Sequence, residues 1–323
     1  MEQGPIASAK IVCVSANPAM DRRVYVDALI PGEVNRGRNP LTMPGGKAAH
    51  VAMAARSLGT DANWVGFLGG AIGEQVEAEL RKLTIDVNPI RTAAATRVNL
   101  EIIENSGKIT EVLEPGGKIS PNEQTELLRL YSQNLSEKWK GALVAVSGSL
   151  PPGVPASFCG ALIDIAKKAG SAVFLDTSGE ALKAGLAAKP GFVKPNRKEA
   201  EVLLGRGLPD LQAVVTAARK IISSGARSAA ITMGAEGLVW VESKDSPARF
   251  AQPPRLKAIS TVGCGDTTLA GFAYAAMHGL TGEEALRFAT ACGAANCLAE
   301  FEGRISLSDV QSLLPKVSVK SWS

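Results

Sequence analysis

The 323-residue chain is predicted to fold as an α/β protein, a doubly wound and mainly parallel sheet with a small β-sheet lid. Three observations predict it. Short apolar runs such as Ala142-Leu-Val-Ala-Val146 alternate with helical segments, the pattern of parallel strands covered on both faces. Two polar, β-leaning stretches, about 22–43 and 91–118, carry no helix between their strands and read as a second sheet inserted twice into one domain spanning 1–323. Glycine-rich segments fall where strands end, which is where open α/β sheets place their ligands.

The elements follow in order. Lys10 to Ala16 is a strand that ends in Asn17-Pro-Ala-Met-Asp21. The stretch from Arg22 to Met43 is broken by Pro31-Gly32 and Gly37, and Pro44-Gly-Gly-Lys47 leads into a helix from Ala48 to Leu58 that Gly59 stops. A strand (62–67), a helix (73–83) and a hairpin (98–104 with 109–114, turning at Asn105-Ser-Gly107) come next. After Pro121 the pattern is regular: a helix, strand 142–147, helix 155–169, strand 172–176, a helix, strand 192–194, two helices, strand 228–232. A helical run from Thr267 to Met277 follows the most informative loop, Ser260 to Thr268.

Composition excludes several classes. A net charge of +4 without a Lys/Arg block or aromatic–basic interleaving argues against a nucleic-acid groove. Five cysteines without a Cys-x-x-Cys pair, and two histidines, argue against zinc and for reduced thiols in a cytoplasmic protein. No charged and apolar leader and no run long enough to span a bilayer is legible, so no membrane partner is expected.

Val262-Gly-Cys-Gly-Asp266 carries the chemistry. Glycines around a small residue let successive N–H groups converge, and the following helix adds its own unpaired N–H groups and positive dipole end. That is a site for an anion with Asp266 at its mouth, placed to take a proton from a hydroxyl attacking a phosphoryl group. The same residues also fit a plain loop with Asp266 as N-cap. The dinucleotide fingerprint and the Walker loop are both absent from the chain. Likewise Asn196 and Glu199, three apart, fit a capping box as readily as a ligand contact.

Together these motifs resemble the ribokinase-like (PfkB) carbohydrate kinase family, from Lys10 to the last helix. The most specific match is Val262–Asp266, supported by Asp176-Thr-Ser-Gly-Glu-Ala-Leu182 and Val193-Lys-Pro-Asn-Arg-Lys-Glu199. Asn17–Asp21, Gly32-Glu-Val-Asn-Arg36, Thr96-Arg-Val-Asn99 and Ser147–Gly153 resemble the hexose-phosphate branch, which phosphorylates fructose 6-phosphate, fructose 1-phosphate or tagatose 6-phosphate. Ser260-Thr-Val-Gly and the Ser-Gly-Glu-Ala-Leu run tilt the expectation to fructose 6-phosphate.

The resemblance implies roles by position. Asp266 is the catalytic base, and the amides of Gly263, Cys264 and Gly265 hold the transferring phosphoryl group. Asp21, Gly45, Gly46, Asn99 and Ser149 contact the sugar, with Arg97 and Arg36 gripping its phosphate. Lys194, Asn196 and Glu199 face the phosphates of ATP and Mg2+, Glu199 through water. Thr232, Gly234 and Gly237 form the nucleotide turn. A monovalent cation belongs to the same picture, although Ser260 stands where ribokinase itself carries an aspartate. Where the family usually has asparagine, this chain has His50. If that ring contacts the sugar, substrate affinity should follow a histidine titration near 6.5.

Lys47 reads as a phosphate or solvent contact. The alternating strand Val98-Asn-Leu-Glu-Ile102 presents an apolar face that a small sheet cannot bury alone, which leads to the expectation of a homodimer through the lid. The rival readings are a sugar-phosphate-binding regulator, for which a base would be idle, and a ribose or nucleoside kinase, for which Arg97 and Arg36 would have no phosphate to meet.

Overall fold

A computed structural model describes residues 10–322. Its main sheet has ten strands. In chain order the first elements are β1 (Lys10–Ser15), β2 (Ala19–Val26), β3 (Arg38–Gly45), α1 (Lys47–Ser57), β4 (Asp61–Leu68), α2 (Gly70–Lys82), β5 (Asp86–Arg91), β6 (Arg97–Glu104) and β7 (Ile109–Leu113). Then come α3 (Pro121–Glu137), β8 (Leu143–Ser147), α4 (Ser157–Lys168), β9 (Val173–Asp176), α5 (Gly179–Ala187), β10 (Phe192–Val193), α6 (Arg197–Leu204), α7 (Leu211–Ser223) and β11 (Ser228–Thr232). The chain closes with β12 (Leu238–Val241), β13 (Ala248–Gln252), α8 (Cys264–Met277), α9 (Gly282–Asn296), α10 (Leu307–Leu313) and β14 (Ser318–Trp322).

The order across the main sheet is β14-β13-β12-β11-β10-β9-β8-β1-β4-β5. Strands from β5 through β1 to β11 are parallel, and β12, β13 and β14 extend one edge antiparallel. Alternate residues of each parallel strand enter opposite cores. Ile11, Cys13, Trp64 and Leu143 pack with α1, α2, α8, α9 and α10. Val12, Val14, Val65, Val144 and Leu175 pack with α3 to α7. Burial on both sides is why these strands read as unbroken apolar runs. The chain goes to β4 on one side of β1 and to β8 on the other, so the carboxyl ends of β1 and β8 flank a topological switch point.

The second sheet has the order β3-β2-β6-β7. It is made of the two segments read as a lid, with corrected bounds. β2 starts at Ala19 and β3 runs to Gly45, while β5 belongs to the main sheet, so the second insertion begins its pairing only at Arg97. The antiparallel strands β12 to β14 went unread in the sequence. β11, β12 and β13 are joined by short hairpins, whereas β14, the edge strand, pairs with β13 from some seventy residues away. Arg23 ties this sheet to the core: it is fully buried, pairs with Glu101 at 2.6 Å and with Glu302, and donates to the carbonyl of Glu300 at 2.7 Å. No described helix is long and apolar enough to cross a membrane.

Candidate active site

The site combines the ends of parallel strands such as β1, β8 and β9 with the starts of α1 and α8. Gly263 adopts φ of 77° and forms the N-cap of α8, a left-handed conformation that glycine takes without a Cβ penalty. Asp266 is therefore the third residue of the helix and makes no cap bond, which overturns the plain N-cap reading. Among the described residues the amides of Gly263 and Gly265 meet no protein acceptor, and that of Cys264 makes only a long bond, 3.4 Å, to the carbonyl of Thr261. Three N–H groups at a helix start are thus left without a strong protein acceptor, an arrangement that suits an anion at this point.

Asp266 is 5% exposed, and its Oδ2 lies 2.8 Å from Nδ1 of His50. The other ring nitrogen of His50 lies 3.1 Å from Asp21 Oδ2, and Asn99 donates to Asp21 Oδ1 at 2.8 Å. One imidazole therefore bridges two carboxylates. Burial pushes the His50 pKa down, but the hydrogen bonds and charges of Asp21 and Asp266 win and raise it to about 10. Burial likewise pushes Asp21 up, yet His50, Asn99 and the Gly46 amide hold it below the ordinary carboxylate range. Gly45 is required here by contact: a Cβ at that position would run into the Asp21 carboxyl group.

A second charged cluster lines the same cavity as the first. Asp176, fully buried at the end of β9, accepts from Lys47 Nζ and from Lys194 Nζ, each at 2.7 Å. Burial pushes Asp176 up, and the two ammonium groups hold it down. Burial pushes Lys47 down, but Asp176, Glu199 and Asp266 raise it well above the ordinary lysine value, so it stays cationic. Lys194 Nζ lies 3.1 Å from where a Cβ on Gly265 would sit, which puts an ammonium beside the anion point. Asn196 and Glu199 do form a capping box on α6, with bonds of 2.8 and 2.9 Å. The other oxygen of Glu199 reaches Lys47 at 3.3 Å, so cap and site contact coexist in one side chain.

All of this lines one cavity of about 1370 Å³. Its lining includes Asn17, Asp21, Arg97, Asn99 and Ser149 as well as Thr232, Gly234, Gly237, Asn196 and Glu199. Arg197 pairs with Glu236 at 2.8 and 3.0 Å and so braces the turn that carries Gly234 and Gly237.

The profile described as pfkB family carbohydrate kinase matches residues 8–302. The chain belongs to the pfkB family. It is similar to 1-phosphofructokinase of Escherichia coli (strain K12), 33% identical over 303 residues and covering 94% of each chain. It is 29% identical over 309 residues to 1-phosphofructokinase of Bacillus subtilis (strain 168), covering 96% of this chain and 99% of the other. Solved structures of phosphofructokinase-2 from Escherichia coli match as well. The complex with fructose 6-phosphate aligns at TM-score 0.86 and 30% identity, and the complex with potassium at 0.88 and 31%, each covering 95% of this chain and 99% of that one. The protein is an ATP-dependent sugar-phosphate kinase of the pfkB family, with its ribokinase-like α/β fold and small second sheet.

Of the residues singled out in the sequence for the site, Arg36 and Gly45 do not line this cavity, and the others do. Arg36 is exposed on the loop between β2 and β3 and does not line the cavity of its own chain. The loop carries it away because no partner among the described residues holds it down. His50 bridges two carboxyl groups that raise its pKa to about 10, so the free-histidine value of 6.5 does not apply to it. Arg97 lines the cavity and donates to the carbonyls of Glu114 at 2.7 Å and Asn17 at 3.1 Å. Two functional features escaped the sequence reading. Asp176, between two lysines, was seen only as the start of a motif, and its burial beneath Lys47 and Lys194 is a tertiary fact. The Arg23–Glu101–Glu302 cluster joins positions far apart in sequence, and Ser260 Oγ adds to it by donating to Glu101 at 2.8 Å.

Proposed function

We propose that this kinase transfers the γ-phosphoryl group of ATP to the free primary hydroxyl of fructose 1-phosphate, giving fructose 1,6-bisphosphate and ADP. The observation that carries the chemistry is the buried Asp266 carboxylate beside unpaired amides at the start of α8, in the cavity that also holds Asp21 and Arg97. The acceptor rests on the curated relatives named 1-phosphofructokinase, which favour this reading over the fructose 6-phosphate that the sequence motifs suggested.

Asp21, Gly46, Asn99 and Ser149 hold the sugar hydroxyls, Gly45 leaves room for the Asp21 carboxyl group, and Arg97 meets the phosphate already on the sugar. A planar guanidinium grips a phosphate at two points, which an ammonium does not. The acceptor hydroxyl gives its proton to Asp266 and attacks the γ-phosphorus in line. The amides of Gly263, Cys264 and Gly265, with Lys194, stabilise the charge spread over the transferring group, which is the main task of a protein in phosphoryl transfer. His50 holds the Asp266 and Asp21 carboxyl groups in place from the two sides of one ring.

Thr232, Gly234 and Gly237 line the nucleotide end. Mg2+ takes one or two carboxylates plus phosphate oxygens and water. Glu199 fits that role through water, whereas Asp176 is already taken by two lysines. The metal would supply charge neutralisation on the phosphates. The second reading is fructose 6-phosphate as acceptor, favoured by the structural match to phosphofructokinase-2 solved with that sugar phosphate. Initial rates with ATP and Mg2+ across fructose 1-phosphate, fructose 6-phosphate, tagatose 6-phosphate and fructose decide between them. The highest kcat/KM is expected with fructose 1-phosphate. A higher value with fructose 6-phosphate overturns the assignment.

A further inference from the structure

Cys264 is the first residue of α8 and Cys297 the residue that caps α9. Their sulfurs lie 3.4 Å apart, and both side chains line the site cavity and are partly open to solvent. Cys13, Cys159 and Cys292 are buried and unreachable by comparison. Asn296 Nδ2 is 3.5 Å from the Cys264 sulfur, and Cys297 points back to the carbonyl of Gly293. A disulfide needs a sulfur separation of about 2.05 Å, so a further approach of only about 1.4 Å closes the bond.

We propose that Cys264 and Cys297 form an oxidisable dithiol that closes into a disulfide and disables the anion hole. The second part rests on the reading that the Cys264 amide belongs to that hole. The hydrogen bond with Cys297 and burial raise the Cys264 pKa, so Cys297 supplies the thiolate of this pair. A hydrogen bond from Cys264 offsets burial and lowers Cys297 to about 7. The oxidant is a peroxide. The thiolate attacks one peroxide oxygen, the O–O bond breaks, and the departing hydroxide leaves as water with the proton released on ionisation. The resulting sulfenic sulfur is attacked by the second thiol, whose proton leaves with the hydroxyl as a second water. Two thiols are oxidised and one peroxide is reduced to two waters. Because Cys264 opens the helix, drawing its side chain toward Cys297 moves the residue whose amide faces the phosphoryl group.

The test treats the reduced full-length enzyme with hydrogen peroxide, maps peptides without reductant, and assays turnover before and after dithiothreitol. A linked Cys264–Cys297 peptide is expected, with kcat lowered at least tenfold and restored by reductant. Cys297→Ser, which leaves the backbone of residue 264 unchanged, should keep its basal rate and yield no linked peptide. Two free thiols after treatment, or a linked peptide with unchanged kcat, would overturn the proposal. The map reads the bond without any substrate, so a wrong acceptor assignment shows instead as a missing basal rate in the reduced enzyme.

Discussion

His50 links the two carboxyl groups of the site: its ring lies 2.8 Å from Asp266 and 3.1 Å from Asp21, and Asp266 is 5% exposed. Asp266→Asn should lower kcat by on the order of a hundredfold or more, the usual share of general base catalysis, while calorimetry shows ATP and sugar phosphate still binding. Retention of a tenth of the rate would remove Asp266 from the base role. The His50 pKa, about 10 against an ordinary 6.5, is raised by the fold. Its stabilisation is therefore whole below 6.5 and is lost as pH rises toward about 10. Asp21, held low, works in the opposite sense and loses its share only in acid. The melting temperature of His50→Asn should thus fall furthest below wild type near pH 6 and converge on it toward pH 10. A constant gap across that range would mean that the bridge is not charged. Arg97→Ala should raise KM for the sugar phosphate about tenfold to a hundredfold, the worth of a charge-assisted contact, with KM for ATP little changed. A loss of ATP affinity instead would relocate the phosphate clamp.

At the scale of elements, helix starts do most of the positioning. α1 begins after Gly46 and delivers Lys47 and His50, α6 begins at Asn196 and delivers Glu199, and α8 begins after Gly263 and delivers Asp266. The α6 capping box ties helix stability to the nucleotide end of the cavity. Asn196→Ala should cost about 0.5–2 kcal/mol of stability, and it should raise KM for ATP because Glu199 loses the partner that orients it. Denaturant melts and steady-state kinetics check both. An unchanged KM with lowered stability would confine Asn196 to the cap.

At the scale of the molecule, the second sheet has two unlike faces. Asp21, Arg23, Asn99, Glu101 and Glu111 alternate onto the site side, whereas Val24, Leu100, Ile102 and Val112 share the other. Val112 is 54% exposed, and Val34 on the Arg36 loop is 84% exposed, so this apolar face is unfinished within one chain. The expected outcome is a homodimer through these sheets, which would also give the outlying Arg36 a neighbouring site to serve. Sedimentation at assay concentrations should show the dimer, and Val112→Asp should shift it toward monomer with loss of activity. A fully active wild-type monomer contradicts the expectation.

Much of this was legible in one dimension because the signals are local. Continuous apolar runs such as Ala142–Val146 announce strands covered on both faces, and Gly263-Cys-Gly-Asp266 announces a helix start built for an anion. Asn196 and Glu199 announce their cap from a spacing of three. What stayed hidden depends on which distant segments meet. No local rule pairs Lys47 and Lys194 with Asp176, buries Arg23 between Glu101 and Glu302, or brings Cys264 to within 3.4 Å of Cys297. The state of His50 belongs to the same class. A free histidine titrates near 6.5, and only the fold, by removing water and supplying two carboxylates, makes it a cation at neutral pH.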